Sequence, residues 1–224
     1  MKIIELSYPL SENNAVLPSG RPKPEIIPST RMPKDGNNTS IVRIFTHTST
    51  HLDVSFHFNP QGYTVEQLSI NHFIFLQPLL IKCIKNEGEN VEQKDLSIYQ
   101  EQLTQCDLLM IYTGFSKYRS KNQEKYLYQA PGLSLDAAKY LRNNFSLKGL
   151  ALDLFSVENM QEAKKKGFPV HKTLLGSPVP KKFVIVEDVN LSKIMEEKIN
   201  RVYAIPLRLK GLDGSPATVW AEIK

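Results

Sequence analysis

Between residues 47 and 57 the chain reads His47-Thr-Ser-Thr-His51-Leu-Asp53-Val-Ser-Phe-His57, so three of its five histidines share one short stretch with an aspartate. Imidazole and carboxylate are the ligands that borderline metals such as Zn²⁺ prefer, and the cluster reads as a hydrolytic metal site. The residues just before it, Ser40 to His47, are rich in β-branched and aromatic types and read as a strand. Positions 47, 51, 53 and 57 share parity, so a continued strand would turn all four side chains to one face. At about 3.3 Å per residue, however, residues 47 and 53 would then stand roughly 20 Å apart. An ion with ligand bonds of about 2 Å cannot reach both. In a continuous helix, 47 and 51 would be neighbours and 53 would point away. The chain is therefore expected to bend near Ser49 and Thr50. The alternative, exposed loop histidines with no ligand, leaves the density of the cluster unexplained.

A chain of 224 residues is long enough for one domain with a substantial core. Its hydrophobic share of 41% and charged share of 23% are those of an ordinary globular protein. A net charge of +5 is modest, and the densest basic run, Lys164 to Lys166, reads as a solvated helix C-terminus. With no basic-aromatic motif, a nucleic-acid partner is not expected. Cys83 and Cys106 form no CxxC pair and read as buried free thiols. The N-terminus lacks a signal-peptide core and no apolar run reaches transmembrane length, so the expectation is a cytoplasmic protein with no membrane partner.

The pattern is mixed α/β. Strands are expected at Lys2–Ser7, Gln77–Lys85, Asp107–Thr113, Gly149–Asp153 and Lys182–Glu187, with a closing hairpin from Val202–Leu209 and Ala217–Ile223. Helices are expected after the N-cap Ser134, from Glu158 to Lys166 before Gly167, from Asn190 or Ser192 to about Ile199, and more weakly over Asp95–Gln105. The segment from Pro9 to about Asn38 contains Pro18, Pro22, Pro24, Pro28 and Pro33 and reads as an extended, irregular arm. An arm this long is expected either to be a surface loop or to pack on a partner subunit.

Two more candidates lie downstream. His171 follows Gly167 in what reads as a loop, and Glu187 ends an apolar strand, where a buried carboxylate needs a cation or hydrogen-bond donors. Asp153 raises the same question, with exposure or helix capping as its alternative, and His72 reads as a structural or surface histidine.

At this point a resemblance becomes visible. His47–Phe58 resembles the His-x-Gly-Thr-His-x-Asp-x-Pro-x-His-Phe signature of the cyclase family, metal-dependent hydrolases that include bacterial kynurenine formamidase and isatin hydrolase. Thr113-Gly114-Phe115-Ser116 and Pro131 to Ser134 are similar to the family's Thr-Gly-Trp-x segment and the helix start that follows it. Leu152-Asp153-x-x-Ser156 is similar to its Gly-x-Asp-x-x-Ser motif, and the regions of His171 and Glu187 to its second metal-binding half. Pro206 to Pro216, with Asp213 and Gly214, also fits.

The resemblance implies a single-domain swivelling β/β/α fold over residues 1–224 and a site for two metals, with Zn²⁺ and Mn²⁺ both suited. It implies that His47, His51 and Asp53 hold one metal, and that Asp53, bridging, holds the other with His171 and Glu187. His57 would be the acid/base group, with a hydroxide shared by the metals as nucleophile. The implied reaction is amide hydrolysis, most like arylformamidase (N-formylkynurenine to kynurenine and formate), in homodimers or homotetramers whose neighbouring chains help close the pocket. A hydrolase opening a cyclic amide or lactone, as isatin hydrolase does, and a metal-binding protein without catalysis are the alternatives. The sequence departs from the signature twice: Ser49 stands where the family has glycine and Ser55 where it has proline.

Overall fold

The computed structural model describes residues 2–17, 20–177 and 182–224; Pro18 of the arm lies outside them. The chain opens with β1 (Lys2–Glu5), a hairpin of β2 (Glu25–Thr30) and β3 (Thr39–Arg43), and the short β4 (His51–Asp53). There follow β5 (Ile74–Phe75), β6 (Pro78–Lys82), β7 (Asn90–Val91), α1 (Gln93–Ser97) and α2 (Gln100–Gln105). Next come β8 (Leu108–Tyr112), α3 (Gln123–Tyr128), β9 (Gly132–Leu133), α4 (Leu135–Asn144) and β10 (Gly149–Leu152). The last elements are α5 (Met160–Lys166), α6 (Pro169–Leu175), β11 (Val184–Glu187), β12 (Ile199–Pro206) and β13 (Gly214–Ile223).

One nine-stranded sheet runs β5-β12-β13-β4-β11-β10-β8-β6, with β1 also paired to β13. Strands β6, β8, β10 and β11 are parallel, whereas β4 runs antiparallel to both β11 and β13. The two ends of the sheet, β5 and β6, are joined only by Leu76 and Gln77, whose backbone N–H groups both donate to the Asp107 carboxylate at 3.0 Å. So short a link brings the ends together, and the sheet nearly closes on itself.

Alternation along the strands divides the core in two. Leu108 and Met110 of β8 pack with Leu52, Val184, Val186 and the hairpin residues Val202 and Val219. Leu109 and Ile111 pack with Leu150, Leu152 and Ile185 under the helices that carry Ala138, Leu141 and Leu174. With Leu52 committed to the first side, His51 and Asp53 turn to the second, the side that Ile185 and Glu187 share on β11.

Several local expectations change. The strand before the histidines stops at Arg43, leaving Ile44 to Thr50 for the bend. The arm is not irregular throughout, because β2 pairs with β3 in a sheet of its own. The helix expected from residue 190 is a single 3-10 turn, Leu191–Ile194, because Ile199 is already paired with Ile223 in the sheet. The weak helix over 95–105 is broken into α1 and α2 at Tyr99. His171 sits within α6, not in a loop, since Pro169 opens a new helix directly after Gly167. No helix among the described residues is long and apolar enough to cross a membrane.

Candidate metal centre

The chain bends at Ser49, whose φ of 54° lies in the left-handed region. For a side chain with a Cβ that conformation costs roughly 1–2 kcal/mol. Ser49 is held in it from the arm: its N–H donates to the Val16 carbonyl at 3.0 Å, and its hydroxyl accepts from the Val16 N–H at 3.0 Å. Here the serine that replaces glycine has its own anchor. Ser55, in place of proline, likewise accepts from the Tyr63 N–H at 2.8 Å and fixes the turn that carries His57.

Beyond the bend, the His47 ring folds back over β4 and places Nδ1 2.7 Å from Asp53 Oδ1. His51 Nε2 lies 3.4 Å from the same oxygen and 3.3 Å from Glu187 Oε2. The other oxygen of each carboxylate faces His171, whose Nε2 is 3.7 Å from Asp53 Oδ2 and 3.5 Å from Glu187 Oε1. Antiparallel register brings Glu187 opposite His51 on one side of β4 and Gly214 opposite Asp53 on the other. Only glycine fits at 214, because a Cβ there would stand 2.7 Å from His47 Cε1 and 3.2 Å from Asp53 Oδ1. All six sequence candidates, His57 included, are thus brought into one cluster.

Two acids that sequence reasoning left without a role complete it. Asp213 Oδ2 is 2.9 Å from His47 Nε2 and 2.7 Å from His57 Nδ1, so one carboxylate ties the first and last histidines of the motif together. Glu158 Oε1 lies 3.3 Å from His171 Nδ1. Asp213 precedes a glycine in a hairpin connection and reads as a turn residue; Glu158 reads as the first residue of a helix. The actual cap of α5 is Asn159, whose side chain accepts from the Gln161 N–H at 3.1 Å, and this leaves Glu158 outside the helix.

Burial and mutual charge dominate the electrostatics. Burial opposes protonation of His47, yet Asp53 and Asp213 raise its pKa to about 9. His51 and His171 are likewise pushed up against burial, His51 by Asp53 and Glu187, and His171 by Asp53, Glu158 and Glu187. Burial works to raise Asp53, but His47 and His51 hold it well below the carboxylate range. Burial and the Asp53 charge work to raise Glu187, and His171 and His51 bring it down. Asp213 is lowered against burial by His47 and His57. The site is built around ionised carboxylates that demand positive charge.

Imidazole nitrogens and carboxylate oxygens at these separations suit a divalent metal. Among the described residues, two trios have donor atoms within 4.8 Å of one another: His47, Asp53 and His57, and His51, Asp53 and Glu187. Phe58 stacks on His171 with centroids 5.0 Å apart, and Phe45 lies 5.6 Å from His47, so aromatic surface adjoins the donors.

Asp153 does not join the cluster. It is fully buried and accepts from Thr113 N and Oγ1, both at 2.7 Å, and from Gly114 N at 3.0 Å, closing the turn after β8. His72 sits in a 3-10 turn at Ile70–Phe73 and belongs to neither donor trio; burial and the Lys148 charge lower its pKa.

The Cyclase family model matches residues 4–159, and the chain belongs to that family. The kynurenine formamidase of Bacillus cereus is 26% identical over 213 residues, covering 95% of this chain and 93% of that protein. Isatin hydrolase A from Ralstonia solanacearum superposes with a TM-score of 0.83 at 17% identity, covering 98% of this chain and 91% of that one. A structure described as a potential metal-dependent hydrolase with cyclase activity gives a TM-score of 0.75 at 24% identity, covering 98% and 96%. The expected α/β fold is the one these structures share.

Proposed function

We propose that this chain is a metal-dependent amide hydrolase, with arylformamidase activity on N-formylkynurenine as its reaction. One observation carries the reading: Asp53 presents Oδ1 to His47 and His51 and Oδ2 to His171, the arrangement of a carboxylate shared by two metal positions. His47, His51 and Asp53 would hold one ion, and Asp53, His171 and Glu187 the other, as Zn²⁺ or Mn²⁺. When bound, such ions polarise a carbonyl and lower the pKa of water. Membership of the family and the similarity to kynurenine formamidases support the choice of reaction.

The chain's own residues supply the rest. His57, with Nδ1 held by Asp213, would use Nε2 to carry a proton to the departing amine. Phe45, Phe58 and Phe168 provide apolar surface against which an aryl group can lie and which limits water beside the reacting bond. The test is metal analysis of purified protein coupled to hydrolysis of N-formylkynurenine, with His57→Ala as control. That variant is expected to keep its metals and lose turnover by about 10²–10⁴-fold, the size of a general acid–base contribution. Metal loss in it would make His57 a ligand, in keeping with the trio it forms with His47 and Asp53. Wild-type protein without metal or without hydrolysis would overturn the reading.

Self-association belongs to the same proposal. The β2–β3 hairpin stands as a sheet of its own and exposes Ile26, Ile27, Ile41 and Val42, the last two by 60% and 59%. An isolated hairpin is marginally stable in water, and a patch of this kind marks a protein contact. Light scattering should give a dimer or tetramer; a monomer at micromolar concentration would refute it.

A further inference from the structure

Two consecutive residues outside the donor set, Val157 and Glu158, touch both downstream candidates for the second metal position. The Val157 N–H donates to Glu187 Oε1 at 2.7 Å. One oxygen of Glu158, Oε1, accepts from the His171 backbone N–H at 2.9 Å and faces the His171 ring nitrogen Nδ1 at 3.3 Å. Glu158 is 3% exposed, and among the described residues none of its hydrogen bonds or ion pairs is to a lysine or arginine. A carboxylate oxygen facing Nδ1 accepts from Nδ1–H and so favours the tautomer with its proton there. In the neutral ring that a metal binds, Nε2 is then the nitrogen with the lone pair, and it is the one aimed at Asp53 and Glu187.

The segment is itself anchored. Leu133 N–H donates to the Val157 carbonyl at 2.8 Å, and the Glu158 N–H to Ser156 Oγ at 3.2 Å. Gly132 allows this contact: a Cβ there would lie 2.1 Å from Asn159 N and 2.4 Å from Glu158 C, inside the backbone of the segment. Strand β9 can lie flat on residues 158 and 159 only with glycine at that position.

We infer that Val157–Glu158 is a positioning platform for the second metal position, with Glu158 selecting the ring orientation and tautomer of His171 while the Val157 amide aims Glu187. This rests on the two-metal reading above. Glu158 touches no reacting atom; it acts through His171, as carboxylates behind metal-bound histidines do.

The test is calorimetric titration of metal-free protein with Zn²⁺, paired with the visible spectrum on Co²⁺ loading, for wild type, Glu158→Gln and Glu158→Ala. In Glu158→Ala one of two binding events should weaken by about 10–100-fold, with the other unchanged and the Co²⁺ spectrum altered for one ion. Glu158→Gln keeps an oxygen that accepts from Nδ1–H, so it should restore binding to within a few fold of wild type. Unchanged binding in Glu158→Ala would overturn the inference, and so would equal loss in both variants, which would point to charge and not to orientation. Equal weakening of both events would make Glu158 a general structural residue and refute the assignment. If wild-type protein takes up no metal, the two-metal reading fails first and this inference with it; two metals in wild type separate the two failures.

Discussion

Glu187 and Asp188 are neighbours at the end of β11, both buried acids, and they are supplied with positive charge in opposite ways. Asp188 has a guanidinium of its own. Arg119 donates Nε to both carboxylate oxygens, at 2.7 and 2.9 Å, and Nη2 at 2.7 Å, while Tyr126 adds its hydroxyl at 2.8 Å. Arg119 is closed in by the Tyr8 ring, 3.7 Å from its centroid, and stays protonated against burial because Asp188 holds it. Glu187 has one backbone N–H and two imidazoles at 3.3 and 3.5 Å. The same depth in the fold thus holds one acid closed by a permanent cation and one whose cation is titratable and exchangeable. A buried acid with its own arginine is a fastener. A buried acid that depends on histidines is available to a metal.

Removing one acid of the exchangeable kind should have the largest effect. Glu187→Ala is expected to lower bound metal from two ions to one, with an affinity loss at that position beyond the roughly 100-fold typical of an outer-shell partner. Turnover should fall with it. Elemental analysis after dialysis reads the result, and retention of two ions would remove Glu187 from the ligand set. Asp188→Asn, one residue along, should keep both.

The contrast also explains what the sequence could and could not announce. The bend at Ser49 followed from distance alone, because His47 and Asp53 cannot meet along a strand. Apolar runs such as Leu108–Tyr112 and Val184–Glu187 carried the buried strands in their composition. Asp213 was hidden because its partners, His47 and His57, lie 166 and 156 positions away in the chain, where no local periodicity reports on them. Glu158 was hidden by a one-residue question of helix capping, which Asn159 wins. Residues 191–199 failed as a helix because pairing of Ile199 with Ile223 outweighs local propensity. His171 and Glu187 were visible as candidates, but only the family resemblance joined them to the motif at 47–57.

The fastener should break differently. Arg119→Ala leaves Asp188 buried without its cation, a change that costs about 3–5 kcal/mol. Urea unfolding of the metal-free protein should show that loss, while protein that remains folded still takes up two ions. A stability loss below about 1 kcal/mol would place the pair with exposed ion pairs and erase the contrast.

The smallest effect separates the two kinds of cation by pH. His47 is held at about 9, above its ordinary 6.5, by Asp53 and Asp213 working against burial. In metal-free protein the protonated ring therefore stabilises the fold fully below about pH 6.5, and that contribution is lost as pH rises through 9. Metal binding has the opposite sign, since a ligand imidazole must first give up its proton. Affinity for Co²⁺ should climb by about tenfold per pH unit for each proton displaced, with the His47 contribution levelling off near 9. Arg119 remains charged throughout this range, so Arg119→Ala should lower stability without changing the pH slope of metal binding. A flat affinity profile in wild type would show that protons do not compete for the histidines, and the exchangeable cation would have to be sought elsewhere.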